Sequence, residues 1–483
     1  MILFVTALAT ASMLSCNSPD LVPEAPMTLE YSIIDGDTIK TRTENLAKDF
    51  REKGNFNYSF VVEDKIITAK GVKLHTLSGK EPDLKKLKNE KDELVKGKPL
   101  QYVAIGGSLT AGFRDGGYFN EGIETSFANI LAHHLRIKEF KQPLFDVNDY
   151  NGYGRNEPTD LNPTGGPVQK YARSKNNLGF EISSEKEIKP KKVKEKYTEY
   201  SNLGIPDLNQ TGLDFGLSLL YPNGSKPYFD RFYWEQGGSK YGSGGIAPLE
   251  QFKKLHKDIF TIEFIQEAVN ESQGVKPTFD IFGAGPGGRE EPLAVLLDDF
   301  AKKGMKGALA NIPNSYNFPI NKVIDLKTYY TYSRMTKYPI PNTLEELIEK
   351  ATLIPSIPNT DSLVSSNVNI ALKQKLGYSY LMKSEIQHGV DVYNNTLNQI
   401  AKNAGFPVVD IEKLYENILS GRYRTDDGVK VDPSLTGNFF SSDNVNPSPF
   451  GNAIIANEFI RTLNSYYKLD IPLIPTKEYL NIK

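Results

Sequence analysis

The chain has 483 residues, 39% hydrophobic and 24% charged, with a formal net charge of −2. That balance fits a soluble globular body of two or three domains, or one large α/β domain with extensions. Lys and Arg are scattered, so no global field draws the protein to nucleic acid or an anionic membrane. The only cysteine is Cys16, which excludes an internal disulfide and a metal site built on thiolates.

Met1 to Ser15 is apolar or small throughout. Its length suits the apolar region of a signal peptide and is too short for a spanning helix. The segment resembles a lipoprotein signal, residues 1–15, with cleavage before Cys16 and acylation of that residue. Two features depart from the pattern: Leu14 stands where a small residue is usual, and no Lys or Arg precedes the run. The alternative is an ordinary secretory signal with a chance cysteine. Two or three acyl chains on Cys16 give a stable membrane anchor. No later stretch approaches about eighteen consecutive apolar residues, so no transmembrane helix is expected.

Residues 16–27 contain Pro19, Pro23 and Pro26 and read as an extended tether. Residues 28–98 read as a small β-rich module with a charged linker. Within it, Tyr31–Ile39 carries an Asp35-Gly36 turn signal between apolar runs, and Tyr58–Ile67 is a second hairpin candidate. Lys85–Lys98 is highly charged and reads as a solvated helix or linker. From residue 99 to 483 the pattern is that of one α/β domain. Tyr102–Ile105 is a buried-strand run leading into glycines, and Thr125–Leu135 has helical spacing. Phe279–Phe282 is another short run ending in glycines. Glu291–Lys303 is amphipathic, and Gly307–Pro313 reads as the strand that follows it. Ser384–Asn403 is a long helix, Pro407–Asp410 a buried strand, and Asn452–Tyr467 a closing helix. This alternation predicts an α/β fold, a doubly wound, mostly parallel sheet flanked by helices, with ligand sites at the carboxyl ends of its strands. Residues 154–200 and 321–378 fit no simple α/β rhythm.

Ala104-Ile105-Gly106-Gly107-Ser108-Leu109-Thr110-Ala111-Gly112 carries the chemistry. A serine in a glycine-rich turn after a buried strand presents its hydroxyl at the top of the sheet. The stretch resembles the first motif block of SGNH (GDSL) hydrolases, G-D-S-L-T-x-G, with Gly107 in the Asp position. Phe113–Gly117 and Glu124–Ala132 resemble the lipoprotein branch of that family found in Bacteroidota. So do Tyr200–Pro206, Lys226–Phe229, Asn311–Pro313, Phe440–Asp443 and Asn446–Asn457. The likeness runs from about residue 100 to the C-terminus and implies an SGNH hydrolase-like domain over 99–483.

The same resemblance assigns the site residues and exposes what is missing. Serine needs a base to take its proton, an acid to orient that base, and donors for the oxyanion. Ser108 and Asp443 match the nucleophile and the acid. The family's D-x-x-H-P block here reads Asp443-Asn444-Val445-Asn446-Pro447, so Asn446 replaces the histidine and cannot accept a proton. The oxyanion positions are altered as well. Asp207 stands where the second block has glycine, and Gly285 where the third block has asparagine. In a serine protease, loss of the histidine costs about 10⁶-fold in turnover, and loss of one oxyanion donor about 10²- to 10³-fold. A purely structural role for Ser108 would be to cap backbone N–H groups of its own turn.

These residues imply a catalytically inactive SGNH-like outer-membrane lipoprotein. Its expected role is a binding or accessory subunit of an envelope complex for import, secretion or barrel assembly. The expected partners are an outer-membrane protein or lipoprotein complex and the membrane itself, through Cys16, at the cell surface or the periplasmic face. No nucleic acid, cofactor or metal is expected. Two alternatives stand beside this reading: a serine esterase or carbohydrate-ester hydrolase with a non-standard base, and a relic cleft that captures glycans or acyl chains.

Overall fold

Five short runs, almost wholly buried, form the centre of the fold. In the computed structural model, β1 (Tyr102–Gly106), β2 (Asn202–Gly204), β3 (Ile259–Glu263), β4 (Lys306–Ala310) and β5 (Val408–Val409) make one all-parallel sheet. Their order across the sheet is β5-β4-β3-β1-β2. The structure describes residues 32–34, 37–39, 60–158, 170–174, 179–182, 188–206, 208, 226–234, 248–265, 292–322, 351–355 and 378–482, apart from Ala69, Ser78 and Lys80.

Helices cover both faces, as parallel strands require. On one face lie α1 (Phe127–His134), α4 (Ile411–Leu419) and α5 (Pro449–Tyr467). They bury Phe127, Leu131, Tyr415, Ile455 and Phe459 in one cluster, with the Phe127 and Phe459 rings stacked 4.9 Å apart. On the other face, α2 (Pro292–Lys303) contributes Leu293, Leu296, Leu297 and Phe300. There α3 (Lys383–Ala404) contributes Ile386, Val390, Tyr393 and Leu397. These spacings of three and four place each apolar set on a single helical stripe. Ser126 caps α1 by accepting from the Asn129 N–H, and Ser448 caps α5 by accepting from the Gly451 N–H, with Pro449 in its first turn.

The expected α/β alternation is present, with two strands, β2 and β3, where none was expected. The neighbour of β1 is Ile259–Glu263, paired in register from Tyr102↔Ile259 to Gly106↔Glu263. Its Thr261 and Glu263 interrupt the apolar run, and only the folded protein supplies their partners. The Phe279–Phe282 run lies outside the described residues.

Part of the N-terminal region, from residue 60 onward, is tied to the rest of the chain. Ser32–Ile34 and Asp37–Ile39 pair antiparallel across Asp35-Gly36, as the turn signal predicts. The second hairpin does not form: Phe60–Lys65 is a single strand, parallel to Lys170–Ser174, with a register shift between Val61 and Glu63. Its partner comes from more than a hundred residues downstream, a pairing that no local turn signal announces. The charged stretch after residue 84 is not a free linker. Leu87, Asn89 and Val95 are buried, and Asn89 donates to the Lys257 and Lys303 carbonyls while its N–H meets Asp258. Cys16 and the tether lie outside the described residues. Among those described, no helix is long and apolar enough to cross a membrane.

Candidate active site

The chain leaves β1 for β2 on one side and later returns to β3 on the other. The carboxyl ends of β1 and β3 therefore flank the point where the winding reverses, which is where open α/β sheets bind ligands. Ser108 stands there. It opens a short helix, Ser108–Ala111, that ends at Gly112 with φ 78°, a left-handed conformation suited to glycine. Gly106 is fixed by close approach: a Cβ there would lie 2.4 Å from Thr110 Oγ1 and 2.5 Å from Glu263 Oε1. Ser108 is buried, at 3% exposure.

Two neighbouring strands hold this turn. From β2, the buried Asn202 donates its side-chain amide to the Thr110 carbonyl at 2.9 Å. From β3, Glu263 reaches under the turn with a fully buried carboxylate. Its Oε1 accepts from the Thr110 N–H (2.8 Å) and hydroxyl (2.7 Å), its Oε2 accepts from the Ile265 N–H (2.9 Å), and the Gly107 N–H also donates to it. Burial pushes this carboxyl above its usual range, and the bonds from Ile265, Thr110 and Gly107 pull it back.

The loop that carries Asp443 and Asn446 is built as a closed turn. Phe440 and Pro447 bridge at its base, the Ser441 N–H donates to the Asn446 carbonyl, and Asn444 takes φ 61°. Asp443 Oδ1 accepts from the N–H groups of Val445 (2.9 Å) and Asn446 (2.7 Å). Its Oδ2 accepts the Asn446 side-chain amide (2.9 Å) and the Gly116 N–H (3.3 Å). Burial raises the Asp443 carboxyl, the Asn446 and Val445 donors lower it, and the nearby Asp115 carboxylate raises it further. The loop docks on the chain that leaves the serine turn: Asp115 N–H donates to Ser441 Oγ, and Ser442 N–H donates to Asp115 Oδ1, each at 3.0 Å.

Tyr415 of α4 links the two carboxylates. It is buried, feels the charge of both Glu263 and Asp443, and its hydroxyl has no hydrogen-bond partner. Burial, then Glu263, then Asp443 raise its phenol well above the ordinary tyrosine value. Asp443 and Asn446 thus lie at the same end of the sheet as Ser108.

The histidines are engaged elsewhere or exposed. His75, His133 and His134 bond within one cluster at the end of α1. His256 lies just before β3, at the opposite end of the sheet, and its Nδ1 meets Asp92 at 2.7 Å. His388 is exposed on α3. Among the described residues no group of three or more His, Cys, Asp or Glu side chains is arranged to hold a metal ion. The oxyanion positions Asp207 and Gly285 lie outside the described residues. Glu263, Asn202 and Tyr415 are site residues that sequence reasoning missed. The one signal for Glu263 was an acid closing an otherwise apolar run.

Comparisons with protein-family models, with curated proteins and with solved structures return no match to this chain.

Proposed function

We propose that this chain is a lipid-anchored SGNH-like protein that uses its fold to bind rather than to hydrolyse, as an accessory subunit of an outer-membrane protein complex. The observation that carries this reading is Asn446. It occupies the base position of the Asp443 loop and hands Asp443 the side-chain donor that an imidazole would supply. An amide in that place keeps the loop's hydrogen bonding and cannot take a proton.

The nearby carboxylates do not replace the lost base. Asp443 and Glu263 each already accept four donors, from their own loops, the serine turn and the chain that leaves it. A general base needs a free lone pair within reach of the proton it removes. Glu263 also gives the serine turn a structural purpose that is independent of turnover. What remains selectable is the surface, and Cys16 would hold that surface at the outer membrane beside a partner protein.

The test is labelling of the folded full chain by a fluorophosphonate probe, with an active serine esterase alongside. The expected result is no adduct on Ser108. An adduct that disappears in Ser108→Ala would establish the competing reading, a serine ester hydrolase with a non-standard base.

A further inference from the structure

His75, on the segment before the α/β body, joins three parts of the chain that are far apart in sequence. Its Nδ1 lies 2.6 Å from the Tyr479 hydroxyl near the C-terminus, and its Nε2 lies 3.0 Å from Nδ1 of His134 on α1. His134 Nε2 in turn lies 2.7 Å from the Pro472 carbonyl. His75, His134 and Tyr479 are all buried, at 3%, 8% and 0% exposure.

The carbonyl at one end fixes every proton in this chain. A carbonyl only accepts, so His134 Nε2 carries hydrogen and, in the neutral ring, Nδ1 accepts. His75 Nε2 must then donate, its Nδ1 accepts, and the Tyr479 hydroxyl donates to it. The relay runs one way, from Tyr479 through His75 and His134 to Pro472, and it is complete only with both imidazoles neutral. One added proton reverses His75 and strips the Tyr479 hydroxyl hydrogen of its acceptor inside a buried site. A second sets two N–H groups head to head.

We propose that this relay is an acid-sensitive latch, which holds residues 70–77 against α1 and the C-terminal segment near neutral pH and lets them go on acidification.

The surroundings favour release. The His133 ring lies 4.9 Å from that of His75 and its Nε2 donates to the His75 carbonyl, while Arg136 sits one turn of chain beyond and donates to the Gly79 carbonyl. Arg136 adds positive charge beside any proton that His134 takes up. Burial, then His134, then His133 depress the His75 pKa from 6.5 to about 3, and burial first lowers that of His134 too. Two acids face the segment among the described residues: Glu478, which accepts the Thr76 N–H on the exposed rim, and the buried Glu121, which accepts the Lys70 N–H at 3.1 Å and is paired with Arg155. A base whose folded pKa is depressed stabilises the closed form fully above the unfolded value. That contribution is lost as pH falls from 6.5 toward 3. The release is local, because the strap has an anchor on each side. Upstream, the Ile67 carbonyl accepts from Tyr150 and Asn151, and downstream Leu87 and Asn89 are buried.

Hydrogen–deuterium exchange of the full chain from pH 7.5 to 5, corrected for intrinsic exchange rates, tests this. The opening equilibrium of the 70–77 peptide is expected to rise up to ~10-fold per pH unit below 6.5 for each imidazole protonated. Peptides over 102–106 and 259–263 should not change. A flat 70–77 peptide, or loss of protection in the sheet at the same pH, overturns the latch. The double variant His75→Gln/His134→Gln should abolish the slope, and an unchanged slope would also overturn it. If that variant does not fold, Tyr479→Phe removes a donor but no titrating imidazole. It should move release toward neutral pH, and an unmoved midpoint counts against the proposal.

Discussion

Replacing Glu263 tests whether the serine turn is held from below. In Glu263→Ala the N–H groups of Gly107, Thr110 and Ile265 and the Thr110 hydroxyl all lose their acceptor. The hydroxyl has a second, weaker acceptor in the Ile105 carbonyl at 3.5 Å, so three backbone donors carry most of the loss. A buried donor left unpaired costs about 1–3 kcal/mol, while removing a buried carboxylate returns part of its desolvation cost. The net expectation is a destabilisation of about 3–5 kcal/mol. Glu263→Gln keeps an acceptor for Thr110 but turns an NH₂ toward the Ile265 N–H, and should cost about 1–3 kcal/mol. Urea unfolding followed by far-ultraviolet circular dichroism reads both values. The pH dependence has a definite sign. Burial raises the folded pKa of Glu263 above its unfolded value near 4.5. Its contribution is therefore full below that value and is lost as pH rises through the folded pKa. The advantage of wild type over Glu263→Gln should thus be largest near pH 4.5 and shrink on going to neutral pH. A Glu263→Ala variant within about 1 kcal/mol of wild type would refute the idea that this carboxylate holds the turn.

Two further substitutions probe the same place. Gly106→Ala puts a methyl group within 2.6 Å of three atoms of Thr110 and Glu263, and should destabilise the fold by about 3 kcal/mol or prevent folding, as thermal melting will show. Asn446→His restores a base whose ring N–H can donate to Asp443. It should make Ser108 react with fluorophosphonates and raise ester turnover about 10²- to 10⁴-fold over wild type. That falls short of the ~10⁶ a histidine commands, because on the proposed reading the oxyanion positions, Asp207 and Gly285, are also altered. Folded Asn446→His that takes no label would show that Ser108 and the Asp443 loop are not arranged as a serine–acid site.

The strands and helices legible in the sequence were those with unmixed signals. Tyr102–Gly106 is apolar to its glycine, and Pro292–Lys303 and Lys383–Ala404 carry clean stripes. The strand beside the site was not legible, because Thr261 and Glu263 look out of place in a buried run. Their partners, the Tyr102 hydroxyl at 2.7 Å and the serine turn, come from 150 residues or more upstream. The short β2 strand, three residues long, was likewise below the length at which a period can be read. Of the site, Ser108, Asp443 and Asn446 were expected from the resemblance of their segments to the SGNH motif blocks. Glu263 and Tyr415 were not, since burial and convergence of charge exist only in the folded chain. The charged stretch Lys85–Lys98 was misread for a related reason: its many lysines and acids hide Leu87, Asn89 and Val95, and those few positions decide that it docks.

The proposed role in a complex turns most directly on what accompanies the native protein. Tagged full-length chain, extracted from cell envelopes in mild detergent and purified by affinity, should emerge with an outer-membrane protein in fixed molar ratio when analysed by native mass spectrometry. Recovery of the monomer alone, from envelopes extracted gently enough to keep a known lipoprotein complex intact, would contradict it.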